Sequence, residues 1–456
     1  RERVKCVYID PPYNTGNNEF LYRDNIQHSS WLTMMDNRLC FCSSLLLDCG
    51  SFICHIDEHE FNALEHLINE HFGTEQNLGP IVWDKRNPKG DAIGIASQHE
   101  YLCWTVKSFE ALKAKGGLSR KKENAQTILA KAAEVIQRHG GVTQAARDEF
   151  KNWLRNQDFS GGEKAYSELD ENGDVYRAVS MAWPNKQKAP DEYFEPLIHP
   201  VTNKPCPVPA RGWRNPPQTM KELLKKGLIL FGPDESTQPT RKYLLKDNLY
   251  ENVPSLYYFG GSDDDLQMAV GYVFPNPKSV RLTEYAISIA TAQHGDLVLD
   301  FFAGSGTTGH AVIKLNREDG GRRKFILVEM AQYFDTVLLP RIKKVIFTPE
   351  WKEGKPKRMA TSEEAERSPR IIQVLGLEQY EDTLNNIEFI EGGTAPKTLM
   401  DFEGYFLRYM LDFETRESPC RMNVTKLERP FDYTLRITRD SQLHNETVDL
   451  VETFNY

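Results

Sequence analysis

Val4-Lys5-Cys6-Val7-Tyr8-Ile9-Asp10-Pro11-Pro12-Tyr13-Asn14 is an apolar run that breaks on two prolines. Each proline fixes its own φ, lacks a backbone donor and pushes its predecessor out of helical backbone, so the run reads as a strand ending at Asp10. A carboxylate, the carbonyls of a rigid Pro-Pro step and an aromatic ring then stand together past a strand end, where open α/β sheets collect ligands. That set suits a flat base whose amino group needs acceptors. An ordinary Pro-Pro turn after a strand is the plain alternative.

The 456 residues are enough for two to four domains with a sizeable core, and 40% hydrophobic with 27% charged residues is ordinary globular composition. No run of eighteen apolar residues occurs, which argues against a membrane helix. The chain opens Arg1-Glu2-Arg3 without a signal or targeting segment, and it reads as a piece that starts inside a domain. Cysteines at 6, 40, 42, 49, 54, 103, 206 and 420 include no Cys-x-x-Cys pair, so reduced thiols of a cytosolic protein are expected, with no metal. The net charge of −9 is uneven: −6 over 1–109, +6 over 110–250, −1 over 251–345 and −8 over 346–456. A basic segment between acidic ones fits a unit that meets phosphates, or a solvated lysine-rich surface.

Downstream of the opening stretch, Ser30 is expected to cap a helix with Trp31, Met34, Met35, Leu39, Cys42, Leu45 and Leu46 on its apolar face, stopped by Gly50. Strands follow at 51–56, 81–83 and 101–106, with a helix capped by Asp57 and ended by Gly73 between the first two. Strands alternating with helices predict an α/β sheet. Residues 110–157 are basic and helix-forming, broken at Gly116-Gly117 and Gly140-Gly141, and 183–217 are rich in Pro, Trp and Arg. The pattern returns with a helix over 280–292, a strand at 297–300, a helix through 310–316 and a strand at 325–329. A charged linker over 350–370 and strand-like runs at 371–375 and 431–438 complete the chain.

Asp300-Phe301-Phe302-Ala303-Gly304-Ser305-Gly306-Thr307-Thr308-Gly309, set between strand and helix with Glu329 about twenty residues on, fits the dinucleotide fingerprint. It also fits S-adenosylmethionine (AdoMet), which needs the same close backbone approach, an acidic group for ribose hydroxyls and another near its ammonium. Asp-Pro-Pro-Tyr favours AdoMet. Three other patterns compete. His55-Ile56-Asp57-Glu58-His59 matches an inverted zincin, but His55 falls in a strand. Pro205-Cys206 with Glu251-Asn252-Val253 suggests a cytosine-C5 nucleophile, but the glycine loop comes on the wrong side of it. Gly140–Ala146 hints at a helix-turn pair of no assigned role.

Asp10-Pro11-Pro12-Tyr13, Phe274-Pro275-Asn276-Pro277-Lys278-Ser279 and Phe302-Ala303-Gly304-Ser305-Gly306, in that order, resemble the amino-methyltransferases of β-type motif order. The likeness is strongest to the Mod (methylation and recognition) subunits of type III restriction–modification systems, through Tyr8–Gly16, Trp31–Met35, His99–Tyr101, His199–Pro209, Gly212–Arg214, Gln379–Asn386 and Val448–Tyr456. The resemblance implies a Rossmann-like AdoMet-dependent methyltransferase sheet in circularly permuted motif order, with an inserted target-recognition domain and a small α+β carboxy-terminal module. The corresponding boundaries are 1–109 (catalytic half), 110–270 (target recognition), 271–347 (AdoMet half) and 348–456. It implies transfer of a methyl group to adenine N6 in flipped-out duplex DNA. Asp10, Pro11, Pro12 and Tyr13 would be catalytic. Asp300, Phe302, Gly304, Gly306, Glu329, Lys278 and Ser279 would contact AdoMet. Lys85, Arg86, Arg211 and Arg214 are candidates for DNA. A second Mod chain and an ATP-dependent Res endonuclease are the implied partners, in the cytoplasm of a bacterium or archaeon. Asp10 favours adenine, since cytosine-N4 enzymes more often carry Ser there; cytosine-N4 transfer, or a subunit that only recognises DNA and docks a partner, are the alternatives. Relatives carry a Gly-Asp-Asn-like turn before the catalytic strand and continue past Tyr456, so this piece is expected to bind AdoMet weakly or not at all, and the full-length protein to bind it.

Overall fold

The computed structural model describes residues 3–15, 24–86, 94–260, 263–275, 277–291, 295–376, 434–439 and 442–447. Gly16, Asn276 and the stretches 379–386 and 448–456 lie outside them. Two compact units, Arg1–Pro369 and Arg370–Tyr456, separate.

The first unit starts with β1 (Val4–Ile9), α1 (His28–Leu45), β2 (Leu46–Ile56), α2 (Phe61–Phe72), β3 (Asn77–Asp84), β4 (His99–Val106) and α3 (Phe109–Ala114). Then come β5 (Ser119–Lys121), α4 (Ala125–Arg138), α5 (Gln144–Arg155), α6 (Gly161–Lys164), β6 (Glu168–Leu169), β7 (Val175–Ser180), α7 (Pro217–Lys225), β8 (Ile229–Leu230), β9 (Thr240–Leu244) and β10 (Tyr250–Asn252). The unit closes with β11 (Leu256–Tyr258), α8 (Asp264–Val270), α9 (Val280–Ala290), β12 (Leu297–Asp300), α10 (Thr307–Asp319), β13 (Lys324–Leu327), α11 (Leu339–Phe347), β14 (Trp351–Lys352), β15 (Lys355–Pro356) and α12 (Ser362–Glu366). In the second unit β16 (Thr434–Arg439) pairs antiparallel with β17 (Gln442–Thr447).

Seven strands form the main sheet in the order β11-β3-β4-β2-β1-β12-β13, an α/β architecture in which β4 alone runs against its neighbours. Successive side chains of a strand point to opposite faces, and β1 is buried on both. Cys6 and Tyr8 join a core with Leu282, Ala286 and Ile287 of α9 and Ala311 and Val312 of α10. Val7 and Ile9 join the opposite core with Trp31, Met35, Leu39 and Cys42 of α1 and Leu64 and Ile68 of α2. From β1 the chain winds through α1 to β2 on one side, and from β12 it winds through α10 to β13 on the other. The strand order therefore reverses between β1 and β12, the place where such sheets open a crevice.

Several local expectations are corrected. α1 begins at His28, with Ser30 inside the helix, and it stops at Leu45; Leu46 already belongs to β2. Gly50 sits in a register shift between β1 and β2, where a Cβ would meet the Leu47 carbonyl at 2.8 Å. The glycine therefore serves a bulge and not a helix stop. Asp57 accepts the His59 amide at 3.0 Å in a turn ahead of α2, which has no side-chain cap. Gly73 does end α2, at φ +93°. The stretch 350–370 is a hairpin and a capped helix, with Arg358 held by both carboxylate oxygens of Glu364 at 2.7 Å, and 371–375 is irregular.

Residues 119–252 build cores of their own. Ile128, Phe150, Leu154, Leu169, Val175 and Leu245 form one, and Met181, Trp213, Met220, Leu223 and Ile229 another. The antiparallel sheet β6-β7-β9-β8 joins them. α4 and α5 are linked through Gly140 and Gly141 at φ +68° and +148°, with Thr143 capping α5. This is the helix-turn pair the glycines suggested.

Candidate active site

Asp10 follows β1 and Asp300 ends β12, its parallel neighbour, with Val7 and Leu299 in register. The two carboxyl groups therefore stand at adjacent strand ends beside the crevice. Pro11 and Pro12 carry the chain off the sheet. The Pro12 carbonyl accepts the indole N–H of Trp31 at 2.8 Å, and Trp31 is fully buried, so the indole fixes the loop from below. Beyond Tyr13, Asn14 takes φ +62°, a left-handed conformation that asparagine tolerates better than most residues. Its side chain donates to Glu60 at 2.7 Å and accepts from the Ile26 amide at 2.8 Å, and its own amide donates to Asp24 at 2.9 Å. Asp10 Oδ1 is buried and makes no hydrogen bond; the Lys278 ammonium stands 3.5 Å away.

Tyr13 is part of a charged cluster. Its hydroxyl donates to Glu100 Oε2 at 3.0 Å, and Lys278 Nζ donates to the same oxygen at 3.1 Å and to the Tyr13 hydroxyl. The ammonium also lies 4.1 Å from the centroid of the Tyr13 ring. Lys85 binds the other oxygen of Glu100. His55 Nε2 is 2.9 Å from Glu100 Oε2, yet the contact lacks hydrogen-bond alignment and both ring nitrogens are left unsatisfied. Burial lowers the His55 pKa, aided by Lys278, and keeps the ring neutral. Burial alone would push the Glu100 carboxyl up, but the ammonium groups of Lys278 and Lys85 hold it well below the carboxylate range. Burial opposes the charge of Lys278 as well, and the carboxylates of Asp10 and Glu100 overcome it, raising the ammonium's pKa. Tyr13 is pushed well up by burial and by the same carboxylates. At neutral pH the cluster is thus an ionised Glu100, a charged Lys278 and a neutral Tyr13.

The glycine loop forms the other wall. Asp300 accepts the Phe302 amide at 2.9 Å and the Thr308 hydroxyl at 2.5 Å. Burial pushes its pKa up to about 7, with smaller help from Asp10 and Glu329. Gly304 (φ +53°) and Gly306 (φ +85°) need left-handed backbone, and a Cβ on Gly304 would meet nothing nearer than 3.9 Å. Gly309 has a different reason: a Cβ there would stand 2.7 Å from Ile342 and 2.9 Å from Leu327, so it permits α10 to lie close on β13. Glu329 accepts the Gly304 amide at 2.8 Å and the amides of Met330 and Ala331 at 2.9 and 3.0 Å. Ser279 is buried at the start of α9. Phe302 lies under the Arg38 guanidinium, 5.1 Å from its ring centroid. Beneath the loop the fully buried Arg341 donates to the Ser305 carbonyl and hydroxyl and to Thr307, at 2.7 to 3.2 Å.

The structure thus brings Asp10, Pro11, Pro12 and Tyr13 to one side of the crevice and Asp300, Phe302, Gly304, Gly306 and Glu329 to the other. The Lys278 side chain turns to Asp10, Tyr13 and Glu100, while its carbonyl touches the glycine loop through Thr307 at 3.4 Å. Lys85 is ion-paired with Glu100, with its side chain 34% exposed. Arg86 (φ +53°) is exposed and stacks on Tyr258, 5.6 Å from its centroid. Arg211 and Arg214 are exposed on a turn around the buried Trp213, with Arg211 donating to the Asn185 carbonyl at 3.1 Å. The inverted zincin pattern fails, because His55 is buried in β2 and faces Glu100. Cys206 is buried with its thiol pushed up by burial, and Glu251 is paired to Arg120. Sequence reasoning noted Glu100 only within the His99–Tyr101 stretch and gave it no role; its signal was a lone acidic residue within the apolar run of β4.

The family described as DNA methylase, of N6 and N4 type, matches residues 4–338. The Mod subunit of the type III restriction–modification enzyme EcoP15I from Escherichia coli is 30% identical over 367 residues, covering 72% of this chain and 55% of that protein. The StyLTI Mod subunit of Salmonella typhimurium is 28% identical, with 73% and 49% covered. The type II methyltransferase M.KpnI of Klebsiella pneumoniae is 28% identical, with 72% and 75% covered. The chain spans about half the length of the Mod subunits it matches.

Proposed function

Because this chain belongs to the DNA methylase family, we propose that it methylates adenine N6 in duplex DNA, as the Mod subunit of a type III restriction–modification system. The observation that carries this reading is the buried Asp10 Oδ1, an acceptor without a hydrogen-bond partner at the mouth shared with the glycine loop. Lys278 compensates the charge of this oxygen from 3.5 Å without a hydrogen bond to it, which leaves it able to accept a ligand N–H. AdoMet, when bound, supplies an electrophilic methyl group. The residues present fit such a cationic, ribose-bearing ligand: left-handed backbone at Gly304 with no side chain to block a close approach, the Asp300 carboxyl below and Glu329 beside it. Asp300, Phe302, Gly304, Gly306, Glu329 and Ser279 would hold it.

The adenine amine is a poor nucleophile because its lone pair is delocalised into the ring, and it is out of reach until the base leaves the stack. In this reading, Asp10 Oδ1 and the Pro11 carbonyl accept its two N–H groups and favour a pyramidal nitrogen. Asp10 is then the nearest base for the proton the amine must lose. One face of the Tyr13 ring carries Lys278, and the other would stack on the flipped base. The residues act by position and charge, with no covalent intermediate. A second Mod chain, a Res endonuclease and a bacterial cytoplasm complete the reading, supported by the Mod relatives. Among the described residues no helix is long and apolar enough to cross a membrane.

Incubating the protein with AdoMet and random-sequence duplex DNA, then sequencing for modified bases, tests this directly. N6-methyladenine at one motif is expected; methylation confined to cytosine, or none, would refute it. A second expectation concerns pH. Asp300, with its pKa near 7, must lose its proton to attract a cation. AdoMet affinity should therefore rise between pH 5.5 and 7, by up to about tenfold per unit. Calorimetric titration should show that rise in the wild type and its absence in Asp300→Asn. A flat wild-type profile would remove Asp300 from cofactor binding.

A further inference from the structure

Of the cations expected to meet DNA, Lys85 is paired with Glu100. A different set is exposed on the sheet between the two cores of residues 119–252. β7 and β9 pair so that Arg177 lies opposite Tyr243 and Val179 opposite Arg241, which puts all four on one face. The inner end of that face, Val175 and Leu245, is buried, while these four are half-exposed. The Arg177 guanidinium lies 5.0 Å from the centroid of Tyr166 and 5.9 Å from that of Tyr243, and Arg241 lies 4.3 Å from Tyr243. Lys122 approaches Tyr166 at 5.9 Å. The result is an alternating row, Tyr166-Arg177-Tyr243-Arg241.

Among the described residues neither Arg177 nor Arg241 has a carboxylate at ion-pair distance, and the Nε of each is buried without a hydrogen bond. The nearby Glu251 is taken by Arg120 at 2.7 Å, and on the opposite face Lys242 is neutralised by Asp170 at 3.2 Å. Two guanidinium groups on one face repel each other, and the tyrosines between them keep both forks in fixed orientations. The ligand that answers such a row is a line of phosphates, which arginine binds bidentately. A flat sheet face does not enter the major groove as a protruding helix or ribbon does, so the contact is to the backbone and not to base edges. We propose that Arg177 and Arg241, spaced by Tyr243, grip the phosphate backbone of duplex DNA. This rests on the DNA-substrate reading above and adds a second, sequence-independent contact surface to it.

The test is the salt dependence of binding to a 30-base-pair duplex of mixed sequence, read by fluorescence anisotropy between 50 and 200 mM KCl. Each phosphate contact contributes about 0.9 to the slope of log K against log salt. Arg177→Gln/Arg241→Gln should therefore flatten the slope by about 1.8, and Arg177→Lys/Arg241→Lys should keep it near wild type. If circular dichroism shows the Gln double variant unfolded, Arg241→Gln alone should flatten it by about 0.9. An unchanged slope in the Gln variants overturns the inference, as does an equal loss in the Lys variant. Tighter, arginine-dependent binding of single-stranded RNA of the same length would also overturn it. Failure of the wild type to bind duplex DNA would strike the DNA-substrate reading itself, and this inference with it.

Discussion

Asp10→Ala is expected to lower methyl transfer by roughly 10²–10³-fold or more, the range seen when one preorganised electrostatic group is removed from an active site. Duplex DNA binding should stay within about twofold. The reason is local. Asp10 lies beyond the last residue of β1, its Oδ1 makes no hydrogen bond, and the ammonium beside it, Lys278, keeps Glu100 as a partner without it. The fold therefore loses little, while the amine loses the acceptor that orients it. Asp10→Asn separates charge from geometry: it retains an acceptor oxygen but neither the negative charge nor the capacity to take a proton. It should fall nearly as far as the Ala variant. Single-turnover methyl transfer and anisotropy on the same duplex read both quantities, and a variant with turnover near wild type would end Asp10's assignment.

Glu100→Ala should destabilise the protein by about 3–5 kcal/mol, the range for removing one member of a buried ion pair. Glu100 has a side chain only 10% exposed and is shared by Lys278 at 3.1 Å and by Lys85. Without it two ammonium groups face each other in a poorly solvated place, and Tyr13 loses its acceptor. Urea denaturation measures the loss. Adding Lys278→Met should restore part of it, since the double variant no longer leaves that charge unpaired. A loss below about 1 kcal/mol would mean the cluster is solvated and not a structural hub. The sign with pH follows from the depressed pKa of Glu100. Its contribution is present in full above the ordinary value of 4.5 and disappears as pH falls through the lower folded value. Acid unfolding of Glu100→Ala should therefore be less steep than that of the wild type.

Much of this was readable in the chain. The strand of β1 and the glycine loop after β12 follow from local chemistry: prolines stop a strand, and glycines are needed where φ is positive. The helix boundaries at Ser30, Gly50 and Asp57 went astray for a tertiary reason. Gly50 reads as a helix stop in isolation, and only the neighbouring β1 shows that it accommodates a bulge. The resemblance put Lys278 at the cofactor and Lys85 was a candidate for DNA, and neither reading supplied a carboxylate partner. Their common partner, Glu100, lies 178 residues from one and 15 from the other along the chain, and only the fold brings them together. The two arginines of the inserted sheet escaped notice because strand pairing across more than sixty residues, Val179 with Arg241, sets their shared face.

The pairing of Val4 with Leu297 has a consequence for how the protein is made. β1 sits mid-sheet, yet one of its two neighbours leaves the ribosome almost three hundred residues after it. At 5–20 residues per second that is a wait of roughly 15 to 60 seconds with one apolar strand edge unpaired. During that time β1 can be covered only from the β2 side, and the exposed edge is a template for pairing with another nascent chain. The order that places the Asp10 stretch ahead of the glycine loop thus delays the crevice until late in synthesis, when β12 arrives to close the strand edge.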